Sequence, residues 1–117
     1  MLAATPRSVR KARVFAAGVL REEGVEASVI ELTCLLVSEV VTNAVMHART
    51  RARLTVSADS HWVRAEVEDR AAGEVAIRSR SAGVEAPGGL EIVDRLATDW
   101  GISRFSTHKV VWFEIAR

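Results

Sequence analysis

Apolar residues recur with a helical period in the first part of the chain. From Pro6 to Glu23 they are spaced three or four positions apart, and Gly24 ends the pattern. This predicts an amphipathic helix over about 6–23, with Thr5 as a capping hydroxyl and Pro6 in the first turn. The apolar positions of this helix are Val9, Ala12, Phe15, Ala16, Val19 and Leu20.

A second helix is predicted from about Glu26 to Ala48. It is apolar on nearly all sides, which is typical of a helix at the centre of a domain. After residue 51 the period changes to two, and ARLTVSA and HWVRAEVED predict a strand pair with a turn at Asp59 and Ser60.

The C-terminal half of the sequence contains one long connection. Residues 69–89 are rich in small residues and hold only a short apolar run, which favours a binding loop or lid. LEIVDRLATDW then predicts a helix ending near Gly101, and GISRFS and KVVWFEIA predict two closing strands. Helices on one face of a mainly antiparallel sheet make a two-layer α+β sandwich, and we predict a single domain over residues 1–117.

Three polar residues form a stripe on the second helix. Glu39, Asn43 and His47 are four residues apart, so they fall within an arc of about 80°. Leu32 and Leu36 lie on the same arc, which indicates that the helix leaves the core partway along and lines a polar cleft. The stripe alone also fits a structural role, with Glu39 paired to an arginine, Asn43 bonded to a loop carbonyl and His47 near a helix end.

Downstream features favour a nucleotide site. Asp69 ends a strand, and Gly88 and Gly89 precede a helix N-terminus, where free backbone N–H groups can hold phosphate. An amide oxygen suits a hard cation, and a carboxylate accepts the exocyclic amine of a base. Together these features indicate a magnesium nucleotide. A zinc site lacks ligands, and a serine-nucleophile site lacks its Gly-x-Ser-x-Gly motif.

Composition narrows the class of protein. The 117 residues are 49% hydrophobic and 26% charged, as in ordinary globular domains, and the net charge of +1 gives no overall attraction to nucleic acid or membranes. We interpret the basic side of the first helix as a solvated face. The single cysteine, Cys34, is predicted to pack inside a cytoplasmic protein with no direct nucleic-acid or membrane contact. The basic residues are Arg7, Arg10, Lys11 and Arg21.

The sequence resembles the GHKL (Bergerat) ATP-binding domains of gyrase and the histidine kinases, in the branch of bacterial anti-sigma-factor serine/threonine kinases. The resemblance rests on LLVSEVVTNAVMHA, AEVEDRAAG, GGLEIVDRLATDWG and KVVWFEI. It implies transfer of phosphoryl groups from Mg-ATP to a serine or threonine of an antagonist protein. It also implies regulation of a sigma factor by partner switching, and it is compatible with a homodimer.

Individual roles follow from the same resemblance. Asn43 is expected to ligate Mg²⁺, and Glu39 to orient or deprotonate the attacking hydroxyl. Asp69 is expected to bind the adenine amine, beneath a lid over 70–87 whose Arg78 and Arg80 either reach phosphates or are solvated. The full expected set for the nucleotide is Asn43, His47, Asp69, Ala71, Gly73, Gly88, Gly89 and Leu90.

Three positions depart from the family pattern. Ala71 and Pro87 replace glycines, and Val110 replaces a threonine whose hydroxyl is expected in the base pocket. They leave open an alternative function, a catalytically inactive protein-binding regulator with a degraded nucleotide pocket. A detached histidine-kinase ATPase domain ranks behind both, because the sequence lacks its dimerising helical pair.

Overall fold

The fold is taken from a computed structural model of the chain. The structure describes residues 7–47, 51–70, 76–79 and 90–117, with the backbone alone at 46, 47 and 76–79. The described residues form three α-helices, a π-helical segment, Asn43–His47, and five strands. The helices are α1 Arg7–Glu22, α2 Ala27–Thr42 and α3 Glu91–Leu96, and the strands are β1 Ala52–Ala58, β2 Trp62–Asp69, β3 Ala76–Ser79, β4 Asp99–Arg104 and β5 Lys109–Ala116.

A glycine turn separates the two long helices. Gly24 has a φ of 69°, its N–H donates to the Arg21 carbonyl at 3.1 Å, and the Val25 N–H donates to the Leu20 carbonyl at 3.0 Å. These two bonds form a Schellman motif, which needs a left-handed residue at this point. The predicted helix stop at Gly24 is confirmed. The capping pair Thr5 and Pro6 lies outside the described residues.

The strands form one antiparallel sheet in the order β1-β2-β5-β4-β3. One face of β2 and β5 packs against α2, and the buried side chains of these strands alternate with more exposed residues on the other face. The two-layer α+β sandwich predicted from the sequence is therefore confirmed. The core residues contributed by β2, β4 and β5 are Val63, Ala65, Val67, Trp100, Ile102, Val111, Phe113 and Ile115.

Helix α2 is the central element of the core. By length and composition the segment Ala27–Val45, with a mean hydropathy of 1.5, could cross a membrane. In this fold it contacts α1, α3, β2 and β5, and its side chains Leu36, Val37 and Val41 are fully buried. Its apolar composition is thus explained in large part by packing against these four elements, while Leu35, on the remaining side, is 44% exposed.

Two predicted boundaries in the second half are wrong. The predicted loop 69–89 contains β3, which pairs with β4 from Ala76 opposite Arg104 to Ser79 opposite Gly101, so Arg78 lies on a strand. The helix predicted up to residue 100 ends at Leu96, because Asp99 and Trp100 already pair with β5. A four-residue edge strand and a six-residue helix leave too few repeats for periodicity to locate their ends.

Helix α1 packs through small residues. Ala12, Ala16 and Leu20 have no exposed surface, whereas Phe15, predicted on the core side, is 51% exposed and Val14 is 66% exposed. Small alanines bring the helix close to its neighbours, which leaves the two larger side chains outside. The predicted exposure of Arg7, Arg10, Lys11 and Arg21 is confirmed: all four are exposed.

Candidate functional site

Charged side chains form a row across the ends of three neighbouring strands. Asp69 ends β2, Lys109 begins β5 and Arg104 ends β4, with Asp69 directly opposite Lys109 and Lys109 directly opposite Arg104. Directly opposed residues share a face of the sheet. Because Asp69 and Lys109 are 1% and 6% exposed, like their neighbours Val67 and Val111, this is the face covered by the helices.

Asp69 and Lys109 form a buried ion pair. The Lys109 Nζ lies 3.3 Å from the Asp69 Oδ2, and the two side chains are 8% and 1% exposed. Burying a charge is costly unless an opposite charge or hydrogen bonds compensate it. A pair of this kind among apolar side chains therefore marks a polar site inside the domain.

Sequence reasoning missed Lys109. The sequence does indicate that this lysine is buried. Lys109 is two, four and six positions before Val111, Phe113 and Ile115, so it lies on the same, buried face of the strand. Buried lysines are rare unless they are paired, so this position indicated a partner such as the carboxylate of Asp69.

Val110 lies on the other face of the sheet. It pairs with Glu68, and on this face the Arg64 guanidinium sits 4.4 Å from the Trp112 ring centroid. The expectation that Val110 removes a hydroxyl from the base pocket is therefore wrong, because strand alternation directs residue 110 away from Asp69. The side chain beside Asp69 on β5 is Lys109.

The polar residues of α2 are half-buried. Glu39 and Asn43 both keep part of their surface accessible, as expected for residues that line a cleft. At Asn43 the helix changes from α to π, and the Asn43 N–H contacts the carbonyls of Glu39 and Val40. The sequence predicted a regular α-helix here. Single π turns within helices occur frequently at functional sites.

A short connection joins the π segment to the strand that pairs with Asp69. His47 and Ala52 are five positions apart, so their Cα atoms lie within roughly 18 Å of each other, and Ala52 pairs with Asp69. Chain connectivity therefore limits the distance between the end of the π segment and the Asp69 end of β2. The backbone of His47 belongs to the π segment, and its side chain lies outside the described residues.

Leu90, one of the expected nucleotide residues, lies at the start of helix α3. Leu90, at its N-cap, is 1% exposed, and the Trp100 Nε1 donates to the Asp94 Oδ1 at 2.8 Å, which ties α3 to β4. The remaining expected nucleotide residues lie outside the described part of the chain, as do Pro87 and Arg80. These nucleotide residues are Ala71, Gly73, Gly88 and Gly89.

The donor set suits a hard cation that is shared with a ligand. Glu39 and Asn43 offer a carboxylate and an amide oxygen one turn apart. Among the described residues, no three His, Cys, Asp or Glu side chains converge on one point. Mg²⁺ commonly takes only one or two protein oxygens and completes its shell with water and phosphate, so these residues fit that ion.

Comparison with known proteins identifies a family. The sequence model of the family described as histidine kinase-like ATPase domain matches residues 2–115. A search of curated proteins found no match. The matched region includes α2, the Asp69–Lys109 pair and all of the sheet except Ala116.

Proposed function

This chain belongs to the histidine kinase-like ATPase family, and on that premise we propose that it is a serine/threonine kinase of the anti-sigma-factor type. Family membership supports an ATP-binding, kinase-like function. The observation that supports the finer proposal is the buried carboxylate of Asp69 at the end of β2, a strand that packs against α2, the helix of Glu39. The acceptor would be a serine or threonine of an antagonist protein.

Asp69 has the properties of a base-binding residue. Its carboxylate is buried and fixed at a strand end. An amine that donates a hydrogen bond to it is therefore bound with little reorganisation of the protein. A buried acceptor also rejects bases that present no donor, since the acceptor would then be left unsatisfied. We therefore assign the adenine amine to Asp69. Gly88, Gly89 and Leu90 are assigned to the phosphates on the strength of the motif.

Glu39 and Asn43 are assigned to phosphoryl transfer. The Asn43 side-chain oxygen would hold Mg²⁺, which neutralises charge on the phosphates when it is bound. Glu39 lies one helical turn earlier and is half-buried, which supports our assignment that it orients the acceptor hydroxyl and takes its proton.

The surface of helix α1 supports the proposal of a protein partner. Five basic residues and no acidic residue occur from Arg7 to Arg21, and a surface pocket is lined by Arg10, Val14 and Phe15 together with Arg7 and Lys11. Exposed apolar side chains surrounded by basic ones are complementary to a protein surface on which acidic residues surround apolar ones. We propose that a sigma factor or its antagonist binds here, in the cytoplasm.

The inactive regulator is the second candidate. One observation favours it, because the Asp69 carboxylate already contacts the Lys109 ammonium at 3.3 Å and would share its acceptor capacity with an incoming base. In that case α1 would still bind its protein partner, and no phosphoryl group would be transferred.

A calorimetric titration tests the nucleotide assignment. We expect ATP to bind the wild type in Mg²⁺, and Asn43→Ala to weaken binding by at least about tenfold, the loss of roughly one charge-assisted contact. Thr42→Ala, at the adjacent half-buried position, is the matched control and should bind as the wild type does. Absent binding, or equal binding by Asn43→Ala, would refute the Mg-nucleotide assignment.

Phosphoryl transfer then separates the two candidates. With candidate antagonist proteins and labelled ATP, Glu39→Gln should lose roughly 10²- to 10⁴-fold in transfer rate while still binding ATP. Glu31→Gln changes an exposed residue of the same helix in the same way and should retain the rate. ATP binding without transfer to any antagonist would refute the kinase and leave a passive nucleotide binder, whereas absent ATP binding would favour the inactive regulator.

A further inference from the structure

Lys109 lies beside Asp69, yet the kinase function proposed above gives it no role. Its ammonium is 3.3 Å from the Asp69 Oδ2, on the helix-covered face, at the strand edge where Asp69 is assigned to the base. Any group that hydrogen-bonds to Asp69 therefore comes within about two hydrogen-bond lengths of the Lys109 Nζ. The chain has only two lysines, and the other one, Lys11, is exposed on α1.

We propose that Lys109 is a specificity-determining residue of this site, and that its ammonium donates a hydrogen bond to a purine ring nitrogen beside the C6 amine bound by Asp69. The proposal rests on the proposed function, because it requires a nucleotide at Asp69. The ligand class is an adenine nucleotide whose ring nitrogen carries a free lone pair.

The chemistry of adenine matches this pair of side chains. Its C6 amine is a donor, and the ring nitrogens on either side of that carbon, N1 and N7, are acceptors. Asp69 supplies an acceptor and Lys109 supplies three donors and no acceptor, at neighbouring points. One carboxylate and one ammonium thus complement one donor and one acceptor on the same edge of the base.

The neighbouring charge holds Lys109 in this position. Arg104 lies directly opposite Lys109 on the side away from Asp69, so the two cations repel each other across β4 and β5. The Lys109 ammonium is consequently favoured on the side of Asp69. The pair also carries no net charge, which lowers the cost of placing a neutral base against it.

Analogues that lack one ring nitrogen test the proposal. If Lys109 donates to N1, we expect the wild type to bind ATP more tightly than 1-deaza-ATP by roughly ten- to a hundredfold. If it donates to N7, we expect the same ratio for 7-deaza-ATP. Lys109→Met should weaken ATP binding and bring that ratio close to one. Arg53→Met removes an exposed cation from the opposite face of the neighbouring strand β1 and should keep the wild-type ratio.

The outcomes separate this inference from the proposed function. A wild type that binds no nucleotide overturns both. A wild type that binds ATP and both analogues equally, or a Lys109→Met variant with unchanged discrimination, overturns the role of Lys109 alone. Tighter ATP binding by Lys109→Met also overturns it, because Lys109 would then block the base.

A second variant covers loss of folding. Lys109→Met leaves the buried Asp69 carboxylate without its lysine, so the double variant Asp69→Asn/Lys109→Met removes both charges together. Compared with Asp69→Asn alone, this double variant should show no preference for the accepting ring nitrogen. Discrimination equal to that of Asp69→Asn contradicts the proposal.

Discussion

Gly101 and Trp112 lie directly opposite each other on β4 and β5, and the indole ring covers the glycine. A Cβ at position 101 would lie 2.5 Å from the Trp112 Nε1 and 2.6 Å from its Cε2. The Arg64 guanidinium packs over the same ring, 4.4 Å from its centroid. The outer face of the sheet is therefore closed at this point by an aromatic ring lying on the glycine backbone.

Gly101→Ala should destabilise the protein. The added methyl overlaps the ring, and overpacking of this kind costs about 1–3 kcal/mol in free energy of unfolding. Chemical denaturation measures the loss. In a Trp112→Ala background the same substitution should cost much less, because the ring that it meets is gone. An equal loss in both backgrounds would show that the ring is not the cause.

Asp94 and Trp100 should share a second stabilising contact. The indole Nε1 of the fully buried Trp100 donates to the Asp94 Oδ1 at 2.8 Å. Asp94→Ala should cost about 1–3 kcal/mol in free energy of unfolding, because it leaves a buried donor without this acceptor. Asp94→Asn retains an acceptor oxygen and should cost less. Urea unfolding of the three proteins checks the order, and equal stability of wild type and Asp94→Ala would contradict it.

Periodicity predicted the regular part of this fold. Helices α1 and α2 and strands β1, β2 and β5 each run for seven residues or more, and their predicted limits agree closely with the structure. Strand β3 was not predicted, because it is defined by its pairing with β4. The end of helix α3 was predicted too late, because the buried Trp100 belongs to β4. Such tertiary contacts override local pattern in short elements.

The candidate site was predicted in part. The spacing of Glu39 and Asn43 indicated a cleft-lining face, and both residues are half-buried on α2. The π segment at Asn43 and the ion pair at Asp69 were not predicted. The alternation of β5 does place Lys109 on the buried face, but which residue it meets depends on the pairing of β2 with β5, and the π segment depends on the packing of the helix. Periodicity specifies neither. Their roles toward a nucleotide stay predictions.

Asp59 should make stability depend on pH. Its Oδ1 accepts hydrogen bonds from the backbone N–H groups of His61 and Trp62, both at 2.8 Å, and these bonds lower the pKa of Asp59 below its ordinary value of 3.8. A lowered pKa means that the ionised form is favoured in the folded state. The stabilisation is therefore fully present above pH 3.8 and is lost as the pH falls through the folded-state pKa.

Thermal unfolding between about pH 6 and pH 2 tests this dependence, since it spans the range in which a carboxyl of this kind titrates. Asp59→Asn keeps an acceptor for the turn and cannot ionise, so its unfolding temperature should fall less with acid than that of the wild type. Glu31→Gln, on an exposed carboxylate of α2, should follow the wild-type curve. Parallel curves for wild type and Asp59→Asn would refute the contribution of Asp59.

Cys34 should react slowly with thiol reagents. It is half-buried between α1 and α2, its Sγ lies 3.6 Å from the Arg13 carbonyl oxygen, and burial raises the pKa of the thiol above 9.0, although Arg21 and Arg13 oppose the shift. The reactive species is the thiolate, which is therefore scarce at pH 8. Labelling by a chromogenic disulfide reagent should be slower for the folded protein than for the urea-unfolded chain. The folded-state rate should also keep rising above pH 9, where an unfolded thiol approaches its plateau. Equal rates in the two states would mean that packing between the helices does not protect Cys34.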